Sequence, residues 1–302
     1  MMRKILIPFV CGLFVSEAIM AEDFRVQLSV LGSASESDVL ESDAGLLTAE
    51  IFFSPVDSSK GPLAEAAFLS QSSSFAIGLG RGEGDEEFEP DEFSNLTGDA
   101  ALDADVRFAG LTYVIPSSKV ILGLSRTVNE NEKGLKTMAL TGGSLIVATE
   151  VISTELTVGL FLSDSRSVQV SYGNVETTVF LGEPFSLTLE DAESSFFGLA
   201  YKRVDSIAGG HISWSANVSI FDEEDANEVL LAATYYPRIN LGVGIEVSRF
   251  DADDSPVLEN YGLELEYFVI PRVAVSVEVS HEDLGDSDED ENAVALGLTA
   301  RF

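Results

Sequence analysis

The sequence predicts an all-β fold: a transmembrane antiparallel β-barrel with up-and-down connections. Three observations predict it. Apolar and polar residues alternate strictly through many short segments, which gives a strand one apolar and one polar face. The connections between segments alternate between short turns and longer acidic loops, the layout of a barrel with two unlike rims. Aromatic residues recur at segment ends, as where a barrel wall meets lipid headgroups.

Composition bounds the rest. The 302 residues hold 17 Lys+Arg against 51 Asp+Glu, a formal net charge of −34. So acidic a chain excludes nucleic acid as a partner, because phosphates would be repelled. Yet 45% of residues are hydrophobic, and an acidic disordered chain lacks the apolar residues to bury. The charge must be segregated from the apolar surface.

At the N-terminus, Arg3 and Lys4 precede the apolar run Ile5 to Val15, too short to span a bilayer as a helix. Ala18, Met20 and Ala21 offer a cleavage region. Residues 1–21 therefore read as a secretory signal peptide, with a membrane anchor as the alternative, and residues 22–302 as the barrel. The single cysteine, Cys11, follows Phe9-Val10 rather than the small residues a lipidation signal prefers. It lies in the removed segment, so the mature chain would have neither a disulfide nor a thiolate metal site. No cofactor is implied.

Strands are expected near 23–31, 45–53, 65–81, 104–115, 119–127, 166–178, 194–204, 210–221, 228–236, 241–250, 258–268, 272–281 and 292–302. In the first, Phe24, Val26, Leu28 and Val30 alternate with Arg25, Gln27 and Ser29; in a late one, Val273, Val275, Val277 and Val279 alternate with Ala274, Ser276, Glu278 and Ser280. One more strand between Lys136 and Leu162 would make fourteen. A turn at Gly142-Gly143 would instead make sixteen, with pieces short for a span of about 9–11 residues.

A soluble sandwich alternates too, but what bounds these strands favours a membrane. Ile115-Pro116-Ser117-Ser118, Pro237-Arg238-Ile239 and Ile270-Pro271-Arg272 form one set of connections. Gly84 to Glu92, Asp222 to Asp225, Asp251 to Asp254 and Glu282 to Glu291 form the other. Tyr113, Tyr201, Tyr235-Tyr236 and Tyr267-Phe268 precede short turns, and Phe221 and Phe250 sit at opposite strand ends. The last strand alternates through Val294, Leu296, Leu298 and Ala300 to Phe302. That ending resembles the signal read by the outer-membrane barrel assembly machinery, and implies the outer membrane of a Gram-negative-type bacterium.

One local motif carries a narrower resemblance. Ser54-Pro55-Val56-Asp57-Ser58-Ser59-Lys60-Gly61-Pro62-Leu63-Ala64-Glu65-Ala66-Ala67-Phe68-Leu69 resembles the periplasmic turn after the second strand in the Putative general bacterial porin family. The resemblance implies a monomeric or trimeric diffusion channel. It transfers no binding residue.

If the apolar register faces lipid, Arg25, Gln27, Glu50, Arg107, Glu155, Gln169, Lys202, Glu246, Glu264, Glu266, Glu278 and Arg301 face the lumen. A basic residue on the lipid side at mid-depth would cost roughly 2–4 kcal/mol. The alternative is that these charges only solvate and cross-link the wall. On the outer rim, Arg81, Arg126, Arg249 and His281 continue the lipid-facing register toward the acidic loops. They are expected to meet lipopolysaccharide phosphates, or else simply to snorkel.

His211-Ile212-Ser213 has the spacing of a base and nucleophile on one strand face. It follows a short turn, on the wrong side for an outer-leaflet lipase, so no enzyme is expected. Asp251 to Asp254 and Asp286 to Asp290 look like fragments of calcium loops but lack the glycine and terminal glutamate spacing. The expected function is passive diffusion of small hydrophilic solutes with a weak preference for cations. The alternative is a structural or adhesive barrel with a closed lumen.

Overall fold

The alternating segments fold into one closed barrel of fourteen antiparallel strands. In chain order these are β1 (Asp23–Glu36), β2 (Leu40–Asp57), β3 (Ser74–Phe88), β4 (Gly98–Ile115), β5 (Val120–Lys136), β6 (Ser144–Ser163) and β7 (Arg166–Leu181), followed by β8 (Leu187–Ile207), β9 (Gly210–Phe221), β10 (Asn227–Arg238), β11 (Leu241–Asp251), β12 (Leu258–Ile270), β13 (Val273–Asp283) and β14 (Glu291–Arg301). The computed structural model describes residues 23–37, 40–88, 98–136, 144–181, 187–222, 226–252, 257–283 and 290–302. The expected signal peptide, the Gly142-Gly143 pair and most of the two calcium-like loops lie outside them.

Each strand pairs with its chain neighbours, and β1 closes on β14 with Gln27 opposite Arg301 and Glu36 opposite Asn292. Closure leaves no open edge, so every strand can satisfy its backbone groups against another strand, as a lipid environment demands. The stretch between Lys136 and Leu162 contributes one strand, β6, and so the count is fourteen rather than sixteen.

One register of every strand points outward. Its large apolar residues, such as Leu79, Leu124, Ile245 and Leu263, are 37–62% exposed, an apolar band that only lipid would cover. The other register faces the lumen. There Gly78, Gly80, Gly244 and Gly262 alternate in space with larger side chains: the Phe108 ring lies across Gly78.

The wall is not of even height. β3 to β8 run 15 to 21 residues, whereas β9 to β14 run 11 to 13. At ~3.3 Å per residue, an excess of about six residues is roughly 20 Å along the strand. The longer strands were expected to be shorter, because their outer ends lose the apolar alternation. Paired backbone, not apolar patterning, carries those ends onward.

Short turns close the opposite rim. Two of them are joined by an ion pair: Lys119 Nζ, before β5, lies 2.7 Å from Asp164 Oδ1, before β7, and this ammonium holds the Asp164 carboxyl below its ordinary range. The connection from β2 to β3 is different. The strand expected over residues 65–81 begins only at Ser74. Before it come a 3-10 turn at Ser58–Lys60, another at Leu63–Glu65, and the short helix α1 (Ala66–Leu69). Ala, Glu and Leu favour helical backbone, and the run Leu63 to Leu69 has no period of two.

Candidate functional site: the lumen and its exit

The β2–β3 connection folds into the short-turn end of the barrel and crosses it. Asp57 caps its first turn by accepting from the Ser59 amide at 2.9 Å. Farther on, the Leu63 amide donates to the Ile239 carbonyl at 2.8 Å, on the β10–β11 turn. The Leu63 side chain packs on Phe268 and Ala274, from β12 and β13. Ala66 packs with Phe24, Phe52 and Val56. Phe68 packs on the cluster of Val114, Ile121 and Phe161. Contacts to β1, β4, β6, β10 and β12 from so short a segment require it to lie across the bore.

Two cations fasten this segment to the wall. Lys202 Nζ, on β8, lies 2.7 Å from Glu65 Oε2, and the Tyr236 hydroxyl donates to Glu65 Oε1 at 3.2 Å. Lys202 also sits over the Phe68 ring, 5.1 Å from its centroid. Arg301 donates to the Leu63 carbonyl at 2.7 Å and to Gln27 Oε1 at 2.8 Å. Its guanidinium lies between Phe24 and Phe268, 4.6 Å from each ring centroid. Arg301 is only 4% exposed, so its charge is desolvated and offset by oxygen acceptors and aromatic faces.

Above the fastened segment the lumen is acidic. Glu264 stands directly opposite Glu278, and Glu246 is set against Gly262 between them. A side chain at Gly262 would meet Glu246 and Glu278 at 3.5 Å, so the glycine leaves space for the carboxylates. Glu266 follows one step nearer the exit on the same face of β12. Glu50 is paired in register with Gln27, which is itself paired with Arg301. Glu155, on β6, accepts weakly from Ser125 and Thr157 at 3.4 Å, and Gln169 shares the inward register of β7 with buried Ser167.

Two of the residues expected in the lumen lie elsewhere. Arg107 shares its strand face with exposed Leu111 and Tyr113 and pairs outside the barrel with Glu130 at 2.9 Å. The apolar pattern of β4 ends below it, at Ala109, and the residue stands above the apolar band. Arg25 sits in a bulge between Phe24 and Val26. Phe24 takes the inward place there, and Arg25 is exposed. Lys202 and Arg301 face the lumen at its exit end, and both are committed to the crossing segment.

The four outer-rim residues do extend the outward register. Arg81 lies 3.3 Å from Glu83 and 3.6 Å from Asp103. Arg249 lies 3.1 Å from Asp251 and 3.3 Å from Glu259. His281 meets Asn292 at 3.1 Å and Asp290 at 3.9 Å. Arg126 has no carboxylate partner among the described residues. His211 and Ser213 sit on the inward face near the exit, opposite Tyr236 and Thr234. Among the described residues no group of three His, Cys, Asp or Glu could hold a metal ion.

Residues 2–302 match the profile of the family described as "Putative general bacterial porin". The chain belongs to this family. A porin of this kind is a protein of the bacterial outer membrane, and the closed barrel with its apolar belt is built for that place. No curated protein matches the porin in sequence. Its fold is shared with Omp33 of Acinetobacter baumannii, at 17% identity and a TM-score of 0.58, over 94% of this chain and 100% of that one. It is shared too with the toluene transporter TodX of Pseudomonas putida, at 10% identity and a TM-score of 0.53, over 91% of this chain and 88% of that one. The monoaromatic hydrocarbon channel CymD gives 11% identity and a TM-score of 0.55, over 92% and 89%.

The residues of the porin that sequence reasoning missed are Leu63, Glu65, Phe68 and Tyr236. A signal was present. The connection between β2 and β3 spans residues 58–73, whereas the other turns at that rim have two to four residues.

Proposed function

We propose that the porin is a channel for passive diffusion of small hydrophilic solutes and that it prefers cations. The lumen's carboxylates carry this reading: Glu246, Glu264, Glu266 and Glu278 face a bore in which Lys202 and Arg301 are already held by the crossing segment. A passage of one sign concentrates counter-ions, and salt screens the effect. The test is single-channel recording in planar bilayers under a potassium chloride gradient. Stepwise conductance with a reversal potential toward the potassium limit, strongest at low salt, supports the reading. An anion preference at low salt removes it.

The crossing segment favours a second reading, a structural or adhesive barrel with a closed lumen. A correctly folded barrel that gives no conductance steps would select it. No catalytic role enters either reading.

Three further assignments belong to the same proposal. Residues 1–21 act as the cleaved signal peptide. The strand ending in Phe302 is what the barrel assembly machinery recognises. Arg81, Arg126, Arg249 and His281 face the lipopolysaccharide layer.

A further inference from the structure

At the mouth, three phenylalanines line the inner face where the tall wall gives way to the low one. Phe196 and Phe221 are direct register partners on β8 and β9, with ring centroids 5.5 Å apart at 41°. Phe250, on β11, stands 6.2 Å from Phe221 at 72°. None of the three is buried; each is partly open to solvent. Phe250 shares its strand face with Ser248 and Glu246, so it lies roughly 13 Å along the strand above Glu246.

Between them stands a carboxylate. Glu228, on the intervening β10, is the register partner of Phe250 on one side and of Ser219 on the other. It belongs to the inward register that ends in Tyr236. Among the described residues it has no ion-pair partner. An unpaired carboxylate framed by aromatic rings is an arrangement of consistent sign. The ring faces carry negative charge, and they attract cations most strongly where these are weakly hydrated. Potassium keeps its water and gains little from a ring. A neutral aromatic gains nothing from Glu228. A hydrophilic anion is repelled by both.

We propose that this inner rim is a binding site for small organic ammonium ions that carry a flat apolar group, of the arylalkylammonium class. The ammonium meets Glu228, and the flat group lies against Phe221 and Phe250. The site deepens the cation-channel reading and rests on it for the path beyond the rim, where Glu246 is the next carboxylate on the same strand face.

The seat of Phe196 supports a built site. Its ring lies over Gly173, where an added Cβ would fall 2.3 Å from the ring and 2.8 Å from the Thr154 carbonyl. A glycine there lets the aromatic ring lie close against the wall.

The experiment uses phenethylammonium and butylammonium, added to the mouth side of the reconstituted barrel in potassium chloride. The readout is the concentration of each that halves the potassium current. Phenethylammonium is expected to act at a concentration about two- to tenfold lower, the range of one aromatic–aromatic contact, since both ions bring the same ammonium to Glu228. The F196L/F221L/F250L variant should bring the two ions to parity, with the single variant F250L as a milder change if the triple variant folds poorly. E228Q should weaken both ions. Equal action of the two ions on the unsubstituted barrel, or a ratio unchanged in the leucine variants, overturns the inference while the channel remains; the trio is then packing beneath the loops. If the barrel gives no conductance, the channel reading fails, and the same two ions are titrated calorimetrically against the detergent-folded protein. There, equal affinities of the two ions, or of the unsubstituted and leucine forms for phenethylammonium, overturn the site.

Discussion

Lys202 and Glu65 join the wall of the barrel to the segment that crosses its exit, nitrogen to oxygen at 2.7 Å. Glu65 is 6% exposed and receives the Tyr236 hydroxyl on its other oxygen. The carboxylate is therefore satisfied only while the segment lies across the bore.

Lys202→Met should loosen the segment. Removing one partner of a buried pair costs several kcal/mol. The Lys202 side chain is 37% exposed, so water screens part of the loss, and about 1–3 kcal/mol is expected. Single-channel conductance should rise and become noisier, and Glu65→Gln should do the same to a smaller degree. A conductance equal to that of the unsubstituted barrel would show that the segment does not limit the passage.

The triple variant E246Q/E264Q/E278Q should lose most of the cation preference at low salt. Glu264 and Glu278 are register partners on β12 and β13, and Glu246 on β11 stands one step away against Gly262. Relief of their mutual repulsion should leave the barrel at least as resistant to heat, since like charges directly opposite one another destabilise a sheet. The reversal potential under a salt gradient measures the first effect, and the midpoint of heat-modified gel migration the second.

On the outer rim, the arginines should not be equivalent. Arg81 and Arg249 each already meet two carboxylates, and Arg126 meets none among the described residues. If these residues bind lipopolysaccharide phosphate, Arg126→Gln should remove more of the thermal stabilisation by lipopolysaccharide than Arg81→Gln or Arg249→Gln. Equal stabilisation of the unsubstituted barrel and of R81Q/R126Q/R249Q would show that these side chains are interfacial anchors.

Gly173→Ala should be costly although it adds one methyl group. The new Cβ would meet both the Phe196 ring and backbone oxygen of Thr154 below 3.0 Å. The ring can turn away but the strand cannot, so a loss of about 1–3 kcal/mol is expected. Thermal unfolding measures it, and an unchanged midpoint would mean that the wall yields.

The alternation of Val273 to Val279, or of Leu241 to Val247, made the strands and their facing legible in the sequence. A period of two has one physical reading when one side meets lipid. The same logic placed Glu246, Glu264, Glu266 and Glu278 on the inward register. It misled at Arg107, because Val106 and Phe108 are apolar yet share the inward face with Gly80 and Gly78, so the apolar neighbours of Arg107 do not mark the lipid side. It misled at Arg25 because a bulge resets the facing by one residue. The segment Leu63 to Leu69 was legible only as a turn of unusual length. Its destination was hidden, since the partners that define it, Lys202, Tyr236 and Arg301, are distant in sequence. The trio of Phe196, Phe221 and Phe250 was hidden for the same reason. Phe221 and Phe250 were visible singly as strand-end aromatics, and only the register brings them to one face.

The docking of Leu63 also sets an order of events in assembly. Its amide partner is on the β10–β11 turn, its apolar partners are on β12 and β13, and its carbonyl is held by Arg301 at the end of β14. A segment made early in the chain must wait for groups up to 238 positions away, and contacts so distant in sequence form late. Ala66 and Phe68 meet early strands, but the Leu63 end of the segment can complete its contacts only when β10 to β14 are in place. Its seating reports a finished barrel.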